Sequence, residues 1–483
     1  MSPPTRTVET HISTLFFVDD LVYKRKKPIR TGFLDFTDVA ARRAACHREV
    51  ELNRRLAPDV YLGVADLDLE GVEMDHLVVM RRLPGERRLS ARLDDHDADD
   101  DIRHLAHLVA TFHDGATRSP EIDAASGHDA FSDLWEQGIT QVATFAGTIL
   151  DADDVERAAQ LAREYLAGRR PLFDERIAAG RACDGHGDLQ AEDIFVLDDG
   201  PRILDCLEFD DLLRYGDVLA DVAFLAMDLE RLGHPGLAAQ FLHRYQELSG
   251  DTWPGSLAHH HIAYRAHVRA KVACLRADQG DADSIQTARD LHRQAVSHLE
   301  AARVRLIVVG GGPGTGKSTL SSELAERLDA VVLSSDLVRD DVVPRTVAAP
   351  DSTDALHEGR YSPDRVDAVY EELLRRAGAL LQRGENVVLD ASWLDPRWRD
   401  AARTLGEATS SMISELRCEC PDDVVAARIG RRRTAGKDRS EATVDLAREL
   451  TSEAPPWPQA VVIDTNCSLG DAVGLAEAVA TRR

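Results

Sequence analysis

Short apolar runs alternate with helical patterns along the C-terminal part of the chain. The runs read RLIVV, VVLSS, NVVLD, ISELRCEC and AVVIDT. Polar segments with apolar residues at helical spacing separate them. Because strands that alternate with helices form parallel sheets, residues 301–483 are predicted to be an α/β domain with a parallel sheet.

The N-terminal part of the chain begins with strand patterns and continues with helical ones. A hairpin is predicted over residues 8–27 with its turn at Asp19 and Asp20, and a helix is predicted from about Phe36 to Leu56. Apolar and polar residues then alternate along VYLGVADLDL and HLVVMRRL, as they do in strands. The rest is mainly helical, with one further β-rich stretch, DIFVLDDGPRILDCLEF. Residues 1–300 are therefore predicted to be an α+β domain with a small β-rich lobe and a larger helical lobe.

Composition and charge narrow the class of protein. The 483 residues exceed the size at which one hydrophobic core stops growing, which favours more than one domain. No apolar run reaches the roughly 18 residues of a membrane span, and MSPPTRTVET lacks the apolar centre of a signal peptide. The net charge of −26 repels phosphate backbones and anionic lipid. We therefore expect a cytoplasmic protein with no membrane partner and no nucleic acid bound across its surface.

A glycine-rich segment follows the first apolar run of the second domain. It matches the pattern GxxxxGK[ST], and a helical pattern follows it. In such a loop backbone N–H groups surround a β-phosphate, the lysine reaches the β- and γ-phosphates, and the serine hydroxyl binds Mg²⁺. The segment therefore predicts a site for ATP or GTP. Its residues are Gly311, Gly312, Pro313, Gly314, Thr315, Gly316, Lys317, Ser318 and Thr319.

Two aspartates end later strands of the same domain. Asp336 follows VVLSS, where it could accept a proton from a substrate hydroxyl, with Arg339 holding an anionic group; alternatively it caps the next helix. Asp390 ends NVVLD and is a candidate to order Mg²⁺. Farther on, Arg428 and Arg432 belong to a basic helical segment. That segment is either a lid that closes over transferring phosphates or a solvated charged face.

Together these segments resemble the small P-loop kinases. The matching residues are GGPGTGKST, SSDLVR, VVLDAS with WLDPRWR, and ARIGRR with the DRS at 438–440. The similarity is to zeta-toxin-like, gluconate-kinase-like and polynucleotide-kinase-like folds. The resemblance implies that Asp336 activates the acceptor hydroxyl and that Arg428 or Arg432 contacts ATP phosphates. It implies no particular acceptor, because the acceptor differs in every branch of these kinases.

The N-terminal domain carries a second candidate site. HGDLQAED has the spacing of the kinase catalytic loop, in which the first aspartate accepts the hydroxyl proton and the residue five positions later binds Mg²⁺. Those residues are Asp188 and Asp193. Downstream, Asp205 ends the run RILD, where a kinase holds its metal. An inactive kinase fold is the alternative.

This combination resembles the aminoglycoside phosphotransferase family. The segments VYKRKKP, EVELNRRLAPDVYLGV and HGDLQAEDIF resemble more closely a bacterial two-domain family, which fuses such a domain to a P-loop kinase over the full chain. Lys24, or else Lys26, is then the lysine that pairs with the phosphates, and Glu49 is its partner. The alternative is that these lysines lie on an exposed basic edge strand. The sequence departs from the family at Asp193, where an asparagine is usual, and in lacking a glycine-rich loop in the first hairpin.

The combined prediction is a Mg²⁺- and ATP-dependent phosphotransferase with two kinase-like domains. It would move the γ-phosphate to a hydroxyl of a small molecule. In one alternative only the C-terminal domain turns over ATP, and the N-terminal domain is a pseudokinase that acts as a ligand-binding or regulatory module. Another is a nucleotide-sensing module with negligible transfer. Asp336, Asp390 and the basic segment exceed what nucleotide binding alone requires, which favours an enzyme.

The lysine of the glycine-rich segment gives a direct test of the predicted nucleotide site. Replacing Lys317 with Ala should lower ATP turnover at this site about a hundredfold or more, since the lysine supplies charge that the transition state needs. Steady-state ATPase measurements on the full chain check this. A variant that retained nearly all its activity would mean that the phosphate loop is wrongly assigned or that the N-terminal site dominates turnover.

Overall fold

The computed structural model describes residues 6–10, 12–30, 35–69, 72–342, 362–435 and 455–482. Contacts between residues group the chain into two units. The first comprises 1–157, 174–253 and 261–298, and the second comprises 158–173, 254–260 and 299–483. Two short segments from before residue 300 thus group with the second unit, and the division at residue 300 stays a prediction.

Five strands at the start of the chain form an antiparallel sheet. They are β1 (Arg6–Glu9), β2 (Ser13–Val18), β3 (Leu21–Lys26), β4 (Tyr61–Leu69) and β5 (Val72–Arg81), in the spatial order β1-β2-β3-β5-β4. Only Asp19 and Asp20 connect β2 to β3, as predicted. Because β3 pairs with both β2 and β5, the alternative of an edge strand is wrong. Alternate residues of β3 are buried, which puts Val22, Lys24 and Lys26 on its covered face.

One helix, α1 (Val39–Asn53), packs against this sheet. Asp38 caps its first turn by accepting a hydrogen bond from a backbone N–H. Cys46 and Val50 of the helix share a core with Val78 of β5. Glu49 lies between these two core residues in sequence and is itself fully buried, so the helix carries a carboxylate into the covered side of the sheet.

Helices dominate residues 98–301, as predicted. Two short antiparallel pairs interrupt them: β6 (Ala182–Asp184) with β9 (Tyr215–Asp217), and β7 (Ile194–Leu197) with β8 (Gly200–Ile203). Single 3₁₀ turns lie at Gly85–Arg87, Leu89–Ala91, Ala191–Asp193 and Asp211–Leu213. The helices are α2 (Ala98–Gly115), α3 (Pro120–Ala125), α4 (His128–Ala143), α5 (Ala152–Ala167), α6 (Arg170–Ala178), α7 (Val218–Arg231), α8 (Pro235–Ser249), α9 (Gly255–Asp278) and α10 (Asp283–Ala301).

The second unit contains a five-stranded parallel sheet, which confirms the α/β prediction. Its strands are β10 (Arg305–Gly310), β11 (Ala330–Ser334), β12 (Asn386–Asp390), β13 (Met412–Glu419) and β14 (Val461–Asp464), in the spatial order β11-β12-β10-β13-β14. The strand that leads into the glycine-rich loop is therefore central. Its helices are α11 (Lys317–Leu328), α12 (Ser335–Val342), α13 (Pro363–Gln382), α14 (Pro396–Ala408), α15 (Asp422–Ala435) and α16 (Leu469–Ala480).

Parallel strands bring their carboxyl ends to the same edge of a sheet. The second unit therefore gathers the glycine-rich loop after β10, Asp336 after β11 and Asp390 at the end of β12 along one edge. Apolar side chains such as Ile307, Leu324 and Val388 fill the core beneath them. None of the helices that the structure describes is long and apolar enough to cross a membrane.

Candidate active sites

Two lysines and one carboxylate form the centre of the N-terminal site. Glu49 contacts Lys24 through Oε1 at 2.9 Å and Lys26 through Oε2 at 2.5 Å. Lys24 Nζ also lies 2.5 Å from Asp205 Oδ1, and Lys26 contacts Glu208. The chain thus places Lys24, Glu49 and Asp205 together, although about 180 positions separate the first from the last. Lys24 is the lysine that reaches Asp205, whereas Lys26 is fully buried behind it.

The ion pairs favour the charged forms of Lys24 and Glu49. Burial alone would lower the pKa of Lys24, but Asp205 and Glu49 outweigh it and the pKa is raised. Burial likewise opposes ionisation of Glu49, yet Lys24 and Lys26 hold its pKa below the ordinary value. For Glu208, burial prevails over Lys26 and the pKa is raised. The cluster therefore supplies a charged lysine at the cleft, backed by a second cation that is out of contact with solvent.

The catalytic-loop segment is held by the side chain of one aspartate. Asp221 of α7 accepts hydrogen bonds from the backbone N–H of His186 at 2.6 Å and of Gly187 at 2.8 Å. His113 of α2 contacts the same carboxylate at 3.2 Å. Gly187 has φ 86°, and a Cβ there would lie 2.9 Å from Leu207, so only glycine fits. Asp221 thus braces the loop, and Asp217, which caps the start of the same helix, pairs with Arg176.

The histidine of this loop is a structural group. His186 Nε2 lies 3.2 Å from the carbonyl oxygen of Leu204, and Nδ1 accepts from the backbone N–H of Asp188 at 3.3 Å. Burial lowers the pKa of His186 to about 4, so the ring is neutral at pH 7 with its proton on Nε2. The ring thereby links the loop to the strand end that carries Asp205.

Three aspartates, Asp188, Asp193 and Asp205, lie close enough for their charges to act on one another. Burial raises the pKa of Asp188 to about 6, with Arg269 opposing and Asp205 reinforcing the shift. Burial also raises the pKa of Asp193, and the negative charges of Asp205 and Asp188 raise it further. Burial opposes ionisation of Asp205 too, but Lys24 keeps its pKa low. Carboxylates that repel one another in this way form a suitable environment for a divalent cation.

This donor set fits Mg²⁺ that is shared with a nucleotide. Within the described ranges no group of three or more His, Cys, Asp or Glu side chains is arranged to hold a metal alone. Mg²⁺ usually binds one or two carboxylates and takes its other ligands from phosphates and water. Asp193 and Asp205 therefore suit Mg·ATP better than a resident metal ion.

Polar side chains from EVELNRRLAPDVYLGV hold Asp205 in place. The backbone N–H of Asp205 donates to the hydroxyl of Tyr61 at 3.2 Å, and that of Cys206 donates to Asn53 Oδ1 at 2.9 Å. Arg55 donates to the carbonyl oxygen of Gly185 at 2.8 Å. Asp205 has φ 64°, a left-handed conformation that these contacts maintain. Sequence reasoning missed these supports, although the segment itself was part of the family resemblance.

The C-terminal site is built mainly from backbone. Gly311, Gly314 and Gly316 have φ of 136°, 79° and 93°, which lets the loop turn its N–H groups inward. Lys317 Nζ lies 2.9 Å from the carbonyl oxygen of Gly312, inside the curve of the loop. Ser318 Oγ donates to Asp390 Oδ2 at 2.7 Å. The predicted serine and aspartate therefore meet at the position that Mg²⁺ occupies in P-loop proteins, and this pair suits that ion.

The remaining predicted groups of this unit differ in their placement. Asp336 and Arg339 form an ion pair of 2.6 Å at the start of α12, with the Asp336 side chain 40% exposed. Arg428 lies beside Gly316 and donates to the carbonyl oxygen of Thr465 at 2.7 Å. Arg432 lies in α15, but its side chain, like the whole DRS segment at 438–440, falls outside the described residues.

Two arginines of the WLDPRWR segment, Arg397 and Arg399, differ in their contacts, and those of Arg399 serve packing. Its side chain is buried, and it donates to the carbonyl oxygens of Trp393 at 2.6 Å and Pro456 at 3.0 Å. Its guanidinium also lies over the ring of Trp457. The N–H groups of Arg399 are therefore engaged by backbone carbonyl oxygens of the fold. Arg397 instead pairs with Asp367 at 2.5 Å.

The two lysines of β3 should respond differently to substitution with Met. Lys26→Met leaves Glu208 buried without its cation and Glu49 with only Lys24, so it should destabilise the first unit by about 3–5 kcal/mol. Lys24→Met should instead mainly weaken Mg·ATP binding. Denaturant unfolding and calorimetry on the full chain measure both effects. Lys27→Met, at the exposed Glu9 pair, is the matched control. Equal loss of stability in Lys24→Met and Lys26→Met would contradict this division of roles.

Known proteins match both halves of the chain. A model of the phosphotransferase enzyme family matches residues 18–258, and a model of an AAA domain matches residues 306–455. Among solved structures, a gluconokinase from Sinorhizobium meliloti is 22% identical, covering 37% of this chain and 92% of its own, with a TM-score of 0.26. A choline/ethanolamine kinase family protein from Mesorhizobium loti is 13% identical, covering 62% and 92%, with a TM-score of 0.39.

Full-length relatives are found in mycobacteria. The uncharacterized proteins Rv2004c of Mycobacterium tuberculosis and Mb2027c of Mycobacterium bovis are each 42% identical to this chain over 459 residues. The match covers 95% of this chain and 91% of each relative. The predicted fold classes, a kinase-like α+β domain followed by a P-loop α/β domain, are confirmed. The chain belongs to the two-domain family of these mycobacterial proteins, in which a domain of the phosphotransferase enzyme family precedes a P-loop kinase domain.

Proposed function

We propose that the protein transfers the γ-phosphate of ATP, with Mg²⁺, to a hydroxyl of a small molecule, and that both domains are catalytic. The observation that carries the proposal is the contact of Lys24 with both Glu49 and Asp205. A lysine paired with a helical glutamate and placed beside a metal-binding aspartate is the arrangement that an active kinase requires. Membership of the family supports phosphotransfer in general.

In the N-terminal site each group has a distinct role. Lys24 binds the α- and β-phosphates, while Glu49 holds its side chain in position. Asp193 and Asp205 would hold Mg²⁺, which neutralises charge on the phosphates when bound. Asp188 accepts the proton of the attacking hydroxyl; Gln190 donates to its Oδ1 at 2.8 Å, which orients the carboxylate.

In the C-terminal site the phosphate loop replaces these ion pairs. The backbone of residues 311–319 and the side chain of Lys317 bind the phosphates, and Ser318 with Asp390 would hold Mg²⁺. Asp336 accepts the hydroxyl proton. Arg428, beside the loop, and Arg432, farther along the same helix, neutralise charge on the transferring group. The cytoplasm, where ATP is abundant, is the proposed location.

A pseudokinase remains the second candidate for the N-terminal domain. Asp193 adds a like charge beside Asp188 and Asp205, and the pKa of Asp193 is raised chiefly by burial and then by these neighbours. The hairpin between β2 and β3 also offers no glycine-rich cover for a nucleotide. As a pseudokinase, the N-terminal domain acts as a ligand-binding or regulatory module, and only the C-terminal site turns over ATP.

Asp336 tests the proposed acceptor chemistry of the C-terminal site. Asp336→Asn should lower phosphoryl transfer about a hundredfold while leaving ATP affinity within about twofold, since a general base acts on the acceptor and not on the nucleotide. Asp341→Asn, on the same helix and exposed, is the control. Transfer assays and nucleotide titrations measure the two effects. A parallel loss of ATP binding would point to metal binding or helix capping instead.

Asp193 decides between an active and an inactive N-terminal site. Calorimetry on the full chain should find two Mg·ATP sites, and Asp205→Ala should leave one. Asp193→Asn should preserve both sites and strengthen the N-terminal one by up to about tenfold, because one like charge is removed. Asp198→Asn, in the exposed turn after β7, is the control for the general effect of removing one negative charge.

Two outcomes would count against this picture. A single Mg·ATP site in both the wild type and Asp193→Asn would favour the pseudokinase. Binding at the N-terminal site that persists in EDTA would contradict the bridging role of Mg²⁺, because the carboxylates should then repel the nucleotide.

A further inference from the structure

Two arginines belong to α9, a helix that contacts the helix holding the catalytic loop. Arg265 and Arg269 are one helical turn apart, so they occupy the same face of the helix. Both side chains are partly exposed. Neither belongs to the lysine–carboxylate cluster of Lys24, Glu49 and Asp205.

Arg265 is fixed against the helix that holds the catalytic loop. Its Nε donates to the carbonyl oxygen of Ala220 at 3.0 Å, next to Asp221 in sequence. Its guanidinium also lies over the ring of Phe224, 5.0 Å from the centroid, and 5.8 Å from that of Tyr264. These contacts occupy Nε and one face of the group. Within the described ranges its two terminal nitrogens donate no hydrogen bond, so they remain available to a ligand.

Arg269 has a simpler environment. No hydrogen bond, ion pair or ring contact links it to the part of the chain that the structure describes. This is unusual in a protein with 84 acidic residues, where most arginines near the site, such as Arg55 and Arg214, are bonded to backbone or carboxylate oxygens. A partly buried guanidinium that makes no ion pair within the described residues suits the recognition of a carboxylate or phosphate.

Asp188 and the two proposed metal-binding aspartates are influenced by different cations. Among charged groups, Arg269 has the largest influence on Asp188, and Arg265 also acts on it. The leading cations at Asp205 are instead Lys24 and Lys26, and those at Asp193 are Lys24 and Arg88. Arg265 also bonds to Ala220, next to the Asp221 that holds the backbone of His186 and Gly187, so the α9 arginines lie beside the loop that carries Asp188.

We propose that the acceptor of the N-terminal site is a hydroxyl compound with an anionic group, a phosphate or carboxylate, that Arg269 and Arg265 bind. This inference rests on the proposed kinase function of that site. The acceptor oxygen forms a bond to the γ-phosphorus as the bond from that phosphorus to the β,γ-bridging oxygen breaks. The hydroxyl proton passes to Asp188, and ADP leaves. A cationic acceptor, such as an amino sugar or a quaternary amine, would meet two like charges and is disfavoured.

Matched probes test this class of acceptor on the full chain carrying Lys317→Ala, which suppresses the C-terminal site. The probes share a hydroxyl and differ in charge: glycerol 3-phosphate and glycerate, neutral glycerol, and cationic choline. With Mg·ADP saturating, calorimetry should detect binding of the anionic probes only. Arg269→Gln should weaken that binding about tenfold or more, Arg269→Lys should recover part of it, and Arg276→Gln, exposed on the same helix, should have no effect.

The readouts separate this inference from the proposed function. Binding of the anionic probes that needs Arg269, without phosphoryl transfer, would support the anion site and count against catalysis. Preference for glycerol or choline, no binding of either anion, or anion binding unchanged by Arg269→Gln would overturn the inference. A raised KM for ATP with an unchanged KM for the acceptor would also overturn it, because Arg269 would then contact the nucleotide.

Discussion

The N-terminal site depends on one buried carboxylate that two lysines contact at once. Glu49 has no exposed surface, and each of its oxygens lies against a different lysine of β3. A carboxylate in that position is tolerated only because both cations accompany it. The arrangement joins the first sheet, α1 and the strand end after β8, since Lys24 reaches Asp205 and Lys26 reaches Glu208. The geometry of the cleft therefore follows from the ion pairs beneath it.

A second constraint acts from the helical side of the same unit. Asp221 holds the backbone of His186 and Gly187, and Asp228 on the same helix accepts from the backbone N–H of Ala191 at 3.0 Å. The loop that carries Asp188 is thus fixed by carboxylates that do not face the cleft. The same helix supports Arg265. One helix therefore positions both the proposed general base and a candidate binding group for the acceptor.

The two proposed sites would bind phosphates by different means. The N-terminal site brings charged side chains together from distant segments, and burial makes each of them costly unless it is paired. The C-terminal site uses backbone N–H groups of one short loop, helped by one lysine and one serine. Loss of Lys26 in the first site threatens the fold itself. Substitution of Lys317 in the second leaves the loop backbone that forms the rest of the site.

The sequence alone determined the fold classes and the local motifs. Residues 311–318 function as a contiguous unit, so the glycine pattern by itself identifies a phosphate loop. The strands that alternate with helices, the hairpin at Asp19 and Asp20, and the spacing of Asp188 and Asp193 are likewise local features that a linear reading detects. Their assigned chemical roles remain proposals.

Only the tertiary structure decided which distant residues meet. It distinguished Lys24 from Lys26, placed Glu208 and Asp221, and assigned Arg399 to packing, because these outcomes depend on pairings across many tens of residues. Strand alternation puts Lys24 and Lys26 on one face, but it does not say which lysine reaches Asp205. Likewise, helical spacing aligns Arg265 with Arg269 without showing that their face lies beside Asp188. Ion pairs are chosen by distance in space and by the cost of leaving a buried charge unpaired, and neither quantity is encoded in the local order of residues.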